Sequence, residues 1–157
     1  MDDPNTGTGS DAGSASIAGE MRCTCAALRR TARRMTQIYD DALKPTGLKL
    51  TQYSLLAMLA QAGEPSITDL ADLMMMDRTT LTRNLRPLQA AGWVRLGTGG
   101  DKRSRSVVLT AKGESTLQAA RPVWRQAEAS IRGKLGADGG RQLRRLLAET
   151  SSAIASD

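Results

Sequence analysis

At Gly92 the chain changes period. Before it, apolar residues recur at helical spacing in four segments, and after it come two short runs that alternate or cluster as strands do. Leu28, Ala32, Met35, Tyr39, Ala42 and Leu43 write a long first helix, which Pro45 and Gly47 end. A second helix follows Thr51, with Leu55, Leu56, Met58 and Leu59 apolar, and stops at Gly63-Glu64-Pro65. Ser66 then reads as an N-cap with Asp69 at N3, a capping-box pattern. Behind it, Ile67, Leu70, Ala71, Met74 and Met75 repeat at helical spacing, so Met74-Met75-Met76 reads as core rather than as a copper ligand set. Asp77 caps a fourth helix that runs to Gly92.

Residues 93–96 and 105–109 are the two expected strands, bracketing a Gly-rich, basic hairpin tip at 97–104. Thr110 caps a long helix through Leu117, Trp124 and Ile131, with a kink expected at Pro122. Glycines between 133 and 140 break it, and Leu143, Leu146 and Leu147 mark a last helix. The order is α-α-α-α-β-β-α-α: a mainly α chain whose centre has the layout of a winged helix-turn-helix.

Charge is distributed unevenly along this order. The net charge of +6 combines an acidic segment, residues 1–21, at −4 with a body at +10. Residues 1–21 have little to bury and read as a disordered acidic tail. Residues 76–112 alone hold eight basic side chains against Asp77 and Asp101. Such clustering is the electrostatic footprint of a nucleic-acid partner.

Other functions are excluded by what is missing. There is no histidine, so Ser-His-Asp and Cys-His pairs and His-bearing zinc sites are impossible. Two cysteines cannot complete a four-thiolate zinc site, and no phosphate-binding Gly loop with Lys-Ser/Thr is present. An enzyme is therefore not expected, and no cofactor is called for. The two cysteines, only two residues apart, favour a reducing, cytoplasmic setting. No apolar run suits a membrane span, and the N-terminus lacks the apolar region of a signal peptide.

The fourth helix carries the most specific signal. On a wheel of about 100° per residue, Leu81, Leu85 and Leu88 fall together and pack inward. Thr79, Arg83 and Arg86 face the opposite side with Thr82 on its flank, and Thr80 lies toward the edge. Hydroxyls and guanidinium groups without an acid suit base edges and phosphates: threonine meets a thymine methyl or a phosphate, and arginine binds guanine O6/N7 with two hydrogen bonds. The helix N-terminus adds free amides and a dipole that favour phosphate. Arg103 and Arg105 on the hairpin suit the minor groove. Asp101 is then expected to orient Arg103.

These segments resemble the MarR-type transcriptional regulators. The resemblance spans about residues 22–150. It rests on Ser66-Ile67-Thr68-Asp69-Leu70-Ala71, on residues 77–85, on Leu88 through Gly92-Trp93-Val94, and above all on Asp101-Lys102-Arg103-Ser104-Arg105 followed by Leu109-Thr110-Ala111-Lys112-Gly113. It implies a homodimer that binds a pseudo-palindromic operator in double-stranded DNA, usually as a repressor, and is released by a small aromatic or phenolic ligand or an oxidant. It implies dimerisation through residues 22–50 and the C-terminal helices of 113–157, around a DNA-binding domain at 51–112. The candidate DNA-binding residues are Ser66, Arg78, Thr79, Thr80, Thr82, Arg83, Arg86, Asp101, Lys102, Arg103 and Arg105. A winged-helix module that meets an acidic protein partner is the alternative of a different class.

Cys23-Thr24-Cys25 departs from the family pattern and admits three readings. The pair could be soft ligands for a thiophilic metal, completed by a dimer partner. It could be a redox switch near the dimer interface, with Arg22 the adjacent cation. Or each cysteine could be a small buried hydrophobe. Residues i and i+2 of a helix face about 200° apart, so the two thiols converge only if the helix starts after them.

Overall fold

A computed structural model describes residues 23–98 and 105–155. The tail expected over 1–21 lies outside them, as do Asp101, Lys102 and Arg103. The elements are α1 (Thr24–Leu43), a 3-10 turn (Lys44–Thr46), α2 (Leu50–Ala62), α3 (Ile67–Leu73), α4 (Arg78–Ala90), β1 (Val94–Thr98), β2 (Arg105–Leu109) and α5 (Ala111–Ile154). The strands pair antiparallel, and Ser66 adds a single bridge to Ser106. The fold is mainly helical with one small sheet, a winged helix-turn-helix.

Two compact units are distinguished, the first ending at Ile38 and the second starting at Tyr39. In the first, Leu28 of α1 is largely exposed. The second holds a leucine-rich core, in which Leu55, Leu56, Leu59, Leu70, Leu81, Leu88, Val107 and Leu117 are fully buried. Each buried leucine contributes roughly 1.5–3 kcal/mol relative to exposure. The three leucines expected to face inward from α4 do so, with Leu85 at 2% exposure.

Helix starts follow the local chemistry. The Ser66 hydroxyl accepts the Asp69 amide at 3.1 Å and donates to its carboxylate at 2.8 Å, completing the capping box. Thr110 caps α5 by accepting the Gly113 amide at 3.0 Å. α2 begins one residue before Thr51, because the Lys49 amide donates to Gln52 Oε1 at 2.9 Å and sets the first turn there.

The structure differs from expectation in the turn of the helix-turn-helix. α3 ends at Leu73, so the methionines form the turn of the helix-turn-helix rather than a helical face. Met74 packs on the core, but Met75 takes a left-handed backbone (φ 50°) and is 81% exposed. The chain must reverse within the four residues before α4, and this residue makes the reversal. Pro87 and Pro122 both lie inside helices that continue past them. The break expected between Gly133 and Gly140 falls at Gly136 (φ 71°, ψ 165°), where the backbone leaves helical geometry and helix resumes at once. The expected last helix is the second half of α5. There Leu146, Leu147 and Ile154 are exposed, with Leu135 just before the break.

Candidate nucleic-acid interface

The start of α4 is organised by Asp77. Its carboxylate accepts the Thr80 amide at 2.9 Å and the Thr80 hydroxyl at 2.6 Å. The Thr80 hydroxyl and amide hold this carboxyl below the usual carboxylate range. The acid therefore occupies the Thr80 amide, one of those that the sequence reading offered to phosphate. Thr80 is engaged in the same cap, and the Thr82 hydroxyl donates to the Arg78 carbonyl at 2.7 Å. Thr79, Arg83 and Arg86 are exposed, as is Arg78. The polar face thus presents guanidinium forks and one uncommitted threonine, while Thr80 and Thr82 offer mainly their methyl groups.

This cap has a pH signature. A carboxyl with a lowered folded-state pKa stabilises fully above its unfolded value and ceases to do so as pH falls through the folded value. Protection of the Thr80 amide, taken as its exchange rate against the intrinsic rate at the same pH, is therefore expected to fall on acidification below the normal aspartate range. In Asp77→Ala this protection should already be low at neutral pH and change little with acid, as hydrogen exchange read by NMR would show.

Ser66, another candidate contact, has its hydroxyl committed to Asp69. In the hairpin the register is Val94↔Leu109, Arg95↔Val108, Leu96↔Val107, Gly97↔Ser106 and Thr98↔Arg105. Arg105 is exposed at the start of β2, on the face shared with buried Val107.

The hairpin is fastened to α4 and α5 at one joint. The Trp93 carbonyl accepts the Thr110 amide and the Thr110 hydroxyl, each at 3.0 Å, and that hydroxyl also reaches the Gly92 carbonyl at 2.8 Å. Lys112 Nζ donates to the Ala91 carbonyl at 2.7 Å. Lys112, one of the eight basic residues counted in this region, is thus bound to the C-terminal end of α4. Sequence reasoning missed this role.

Away from this face, Trp124 stacks with Tyr53 and Tyr39, with ring centroids 5.4 and 6.4 Å apart. The Tyr39 hydroxyl donates to Glu128, which also accepts from Arg132 Nε at 2.7 Å. Burial first, then Glu128, pushes the Tyr39 hydroxyl well above its ordinary value. The hydrogen bond from Tyr39, followed by the Arg132 guanidinium, holds Glu128 below its own. Tyr53 is raised by burial, against the pull of Arg121 and Arg125.

Cys23 and Cys25 are both free and exposed in the single chain. Cys23 precedes α1 and Cys25 lies in its first turn. Among the described residues no cluster of three His, Cys, Asp or Glu side chains could hold a metal ion. No helix among them is long and apolar enough to cross a membrane.

A capped helix with an arginine face, joined to a basic two-stranded hairpin, defines a winged helix-turn-helix DNA-binding protein. The MarR family profile matches residues 46–104. An HTH-type transcriptional repressor of Mycobacterium tuberculosis is 33% identical over 112 residues, which are 71% of this chain and 81% of that protein. The M. tuberculosis transcriptional regulator MosR in complex with DNA is 38% identical, with a TM-score of 0.78 over 86% of this chain and 98% of that one. MarR of E. coli complexed with operator DNA shares the fold at 22% identity, with a TM-score of 0.76 over 83% and 95% of the two chains. The chain belongs to the MarR family: it is a DNA-binding transcriptional regulator and not an enzyme.

Proposed function

We propose that this regulator is a cytoplasmic repressor that binds a pseudo-palindromic operator as a homodimer. The observation that carries the DNA part is the exposed face of α4, where Arg78, Arg83 and Arg86 stand without an ion pair among the described residues, over a leucine core. Arg83 and Arg86 read bases, and Thr79 contacts phosphate or a thymine methyl. Lys102, Arg103 and Arg105 supply the wing contact, with Asp101 directing Arg103. The homodimer reading is supported by Leu146, Leu147 and Ile154, apolar side chains exposed on the second half of α5. Two recognition helices of a dimer then meet successive major grooves about 34–36 Å apart. Release is by a small aromatic or phenolic ligand.

The test is binding to DNA flanking the regulator's own gene. Two chains per site are expected, with affinity falling steeply as salt rises. A single chain per site, or affinity insensitive to salt, overturns the reading in favour of a module for an acidic protein partner.

A second reading, oxidant sensing, is favoured by the exposure of both thiols with Cys23 outside the helix, since the 200° divergence of a helical pair then does not apply. Peroxide is expected to change operator affinity in the wild type and not in Cys23→Ser/Cys25→Ser. Equal responses of the two proteins would remove the cysteines from signalling.

A further inference from the structure

Alternation along the paired strands puts Arg95, Gly97, Ser106 and Val108 on one face of the hairpin and Arg105, Val107 and Leu109 on the other. The first face holds an anomaly. Ser106 is only 5% exposed, and its Oγ is buried without a hydrogen-bond partner among the described residues. A buried hydroxyl left unmade is costly, and such groups mark functional positions. Opposite it stands Gly97. A Cβ built there would lie 2.7 Å from Ser106 Oγ and 3.7 Å from an Arg95 guanidinium nitrogen. Gly97 therefore leaves open the space between the exposed Arg95 guanidinium and the Ser106 hydroxyl.

We propose that Arg95 is a phosphate-binding residue of the wing and that Ser106 is its positioning residue. On DNA, the Arg95 guanidinium moves across Gly97 and donates one N–H to Ser106 Oγ. Its remaining N–H groups then grip a phosphate oxygen in a fixed direction. The inference rests on the DNA-binding reading above and adds a second side to the wing. A hairpin entering the minor groove lies between two phosphate backbones, and the groove is only about 6 Å wide. Arg105 serves one wall, and Arg95, on the opposite face of the sheet, serves the other. Ser106 Oγ has no partner among the described residues of the free protein because its acceptor is used only in the complex.

The experiment compares Arg95→Ala, Ser106→Ala, the double variant and Arg83→Ala on one duplex bound by the wild type and on a scrambled duplex, across a salt series. Arg95→Ala is expected to weaken both duplexes about equally, by roughly tenfold, and to make the slope of log affinity against log salt shallower by about 1. Ser106→Ala should weaken binding less, and the double variant should be no weaker than Arg95→Ala, since Ser106 acts through Arg95. Its melting temperature should equal or exceed that of the wild type, which separates the effect from unfolding. If Arg95→Ala keeps wild-type affinity and slope while Arg83→Ala is impaired, the clamp is wrong and the DNA reading stands. If the wild type binds no duplex in a salt-dependent way, both fall. Additive losses from Arg95→Ala and Ser106→Ala would overturn the positioning role alone.

Discussion

Gly113→Ala is expected to lower the melting temperature markedly and to weaken DNA binding with it. A Cβ at this position would lie 2.1 Å from the Trp93 carbonyl oxygen, 2.9 Å from its carbon and 2.7 Å from Leu109 Cδ1. The leucine tip can turn aside. The carbonyl cannot, because it is held by the amide and the hydroxyl of Thr110. The methyl must therefore push α5 away from the base of the hairpin. Overpacking of this kind costs about 1–3 kcal/mol and occasionally more, whereas the helix preference of alanine returns at most about 1 kcal/mol. Stability should drop on balance, and the wing should lose its fixed angle to α4. A calorimetric scan and a titration on the same duplex measure both. A melting temperature at or above that of the wild type would mean that the joint yields freely and does not set the wing.

The second large effect belongs to Arg83. Its guanidinium projects from the centre of the exposed face of α4, two residues beyond buried Leu81. A bidentate arginine–guanine pair contributes about 1–3 kcal/mol of discrimination against the wrong base. Arg83→Ala should therefore reduce the ratio of operator to scrambled-duplex affinity by roughly 10- to 100-fold. Binding to the scrambled duplex should change far less. Lys102→Ala, which removes only a charge at the hairpin tip, should weaken both duplexes in parallel and leave the ratio intact. Titrations at fixed salt near 0.15 M decide it. An unchanged ratio for Arg83→Ala would mean that α4 reads its site through other side chains.

Much of this architecture was legible before any coordinates. Ser66, Asp77 and Thr110 each cap the helix expected of them, because a short polar side chain before an apolar period has few other uses. The 105–109 strand falls where alternation placed it, and the inward face of α4 follows directly from leucine spacing. What was not legible depends on contacts between distant segments. Nothing local in Met74-Met75-Met76 says that the turn begins there, since all three are acceptable helix formers. The commitment of Thr80 to Asp77 and of Thr82 to Arg78 was invisible to a wheel, which gives direction but not hydrogen-bond partners. Likewise Ser106 is an ordinary strand residue in sequence, and only its pairing with Gly97 exposes its unmatched hydroxyl. Among four glycines near the break in α5, the single one that leaves helical geometry could not be chosen from spacing.

The two tryptophans stand at different joints: Trp93 where α4, the hairpin and the start of α5 meet, and Trp124 in the ring stack with Tyr39 and Tyr53. Indole emission responds to its immediate surroundings, so the molecule holds two optical reporters at two mechanically distinct places. Movement of the wing should register at Trp93, and loosening of the packing between the end of α1, α2 and α5 at Trp124. With one tryptophan replaced at a time, the chain separates what happens at its DNA-facing end from what happens in its aromatic cluster, by light alone and without an attached dye.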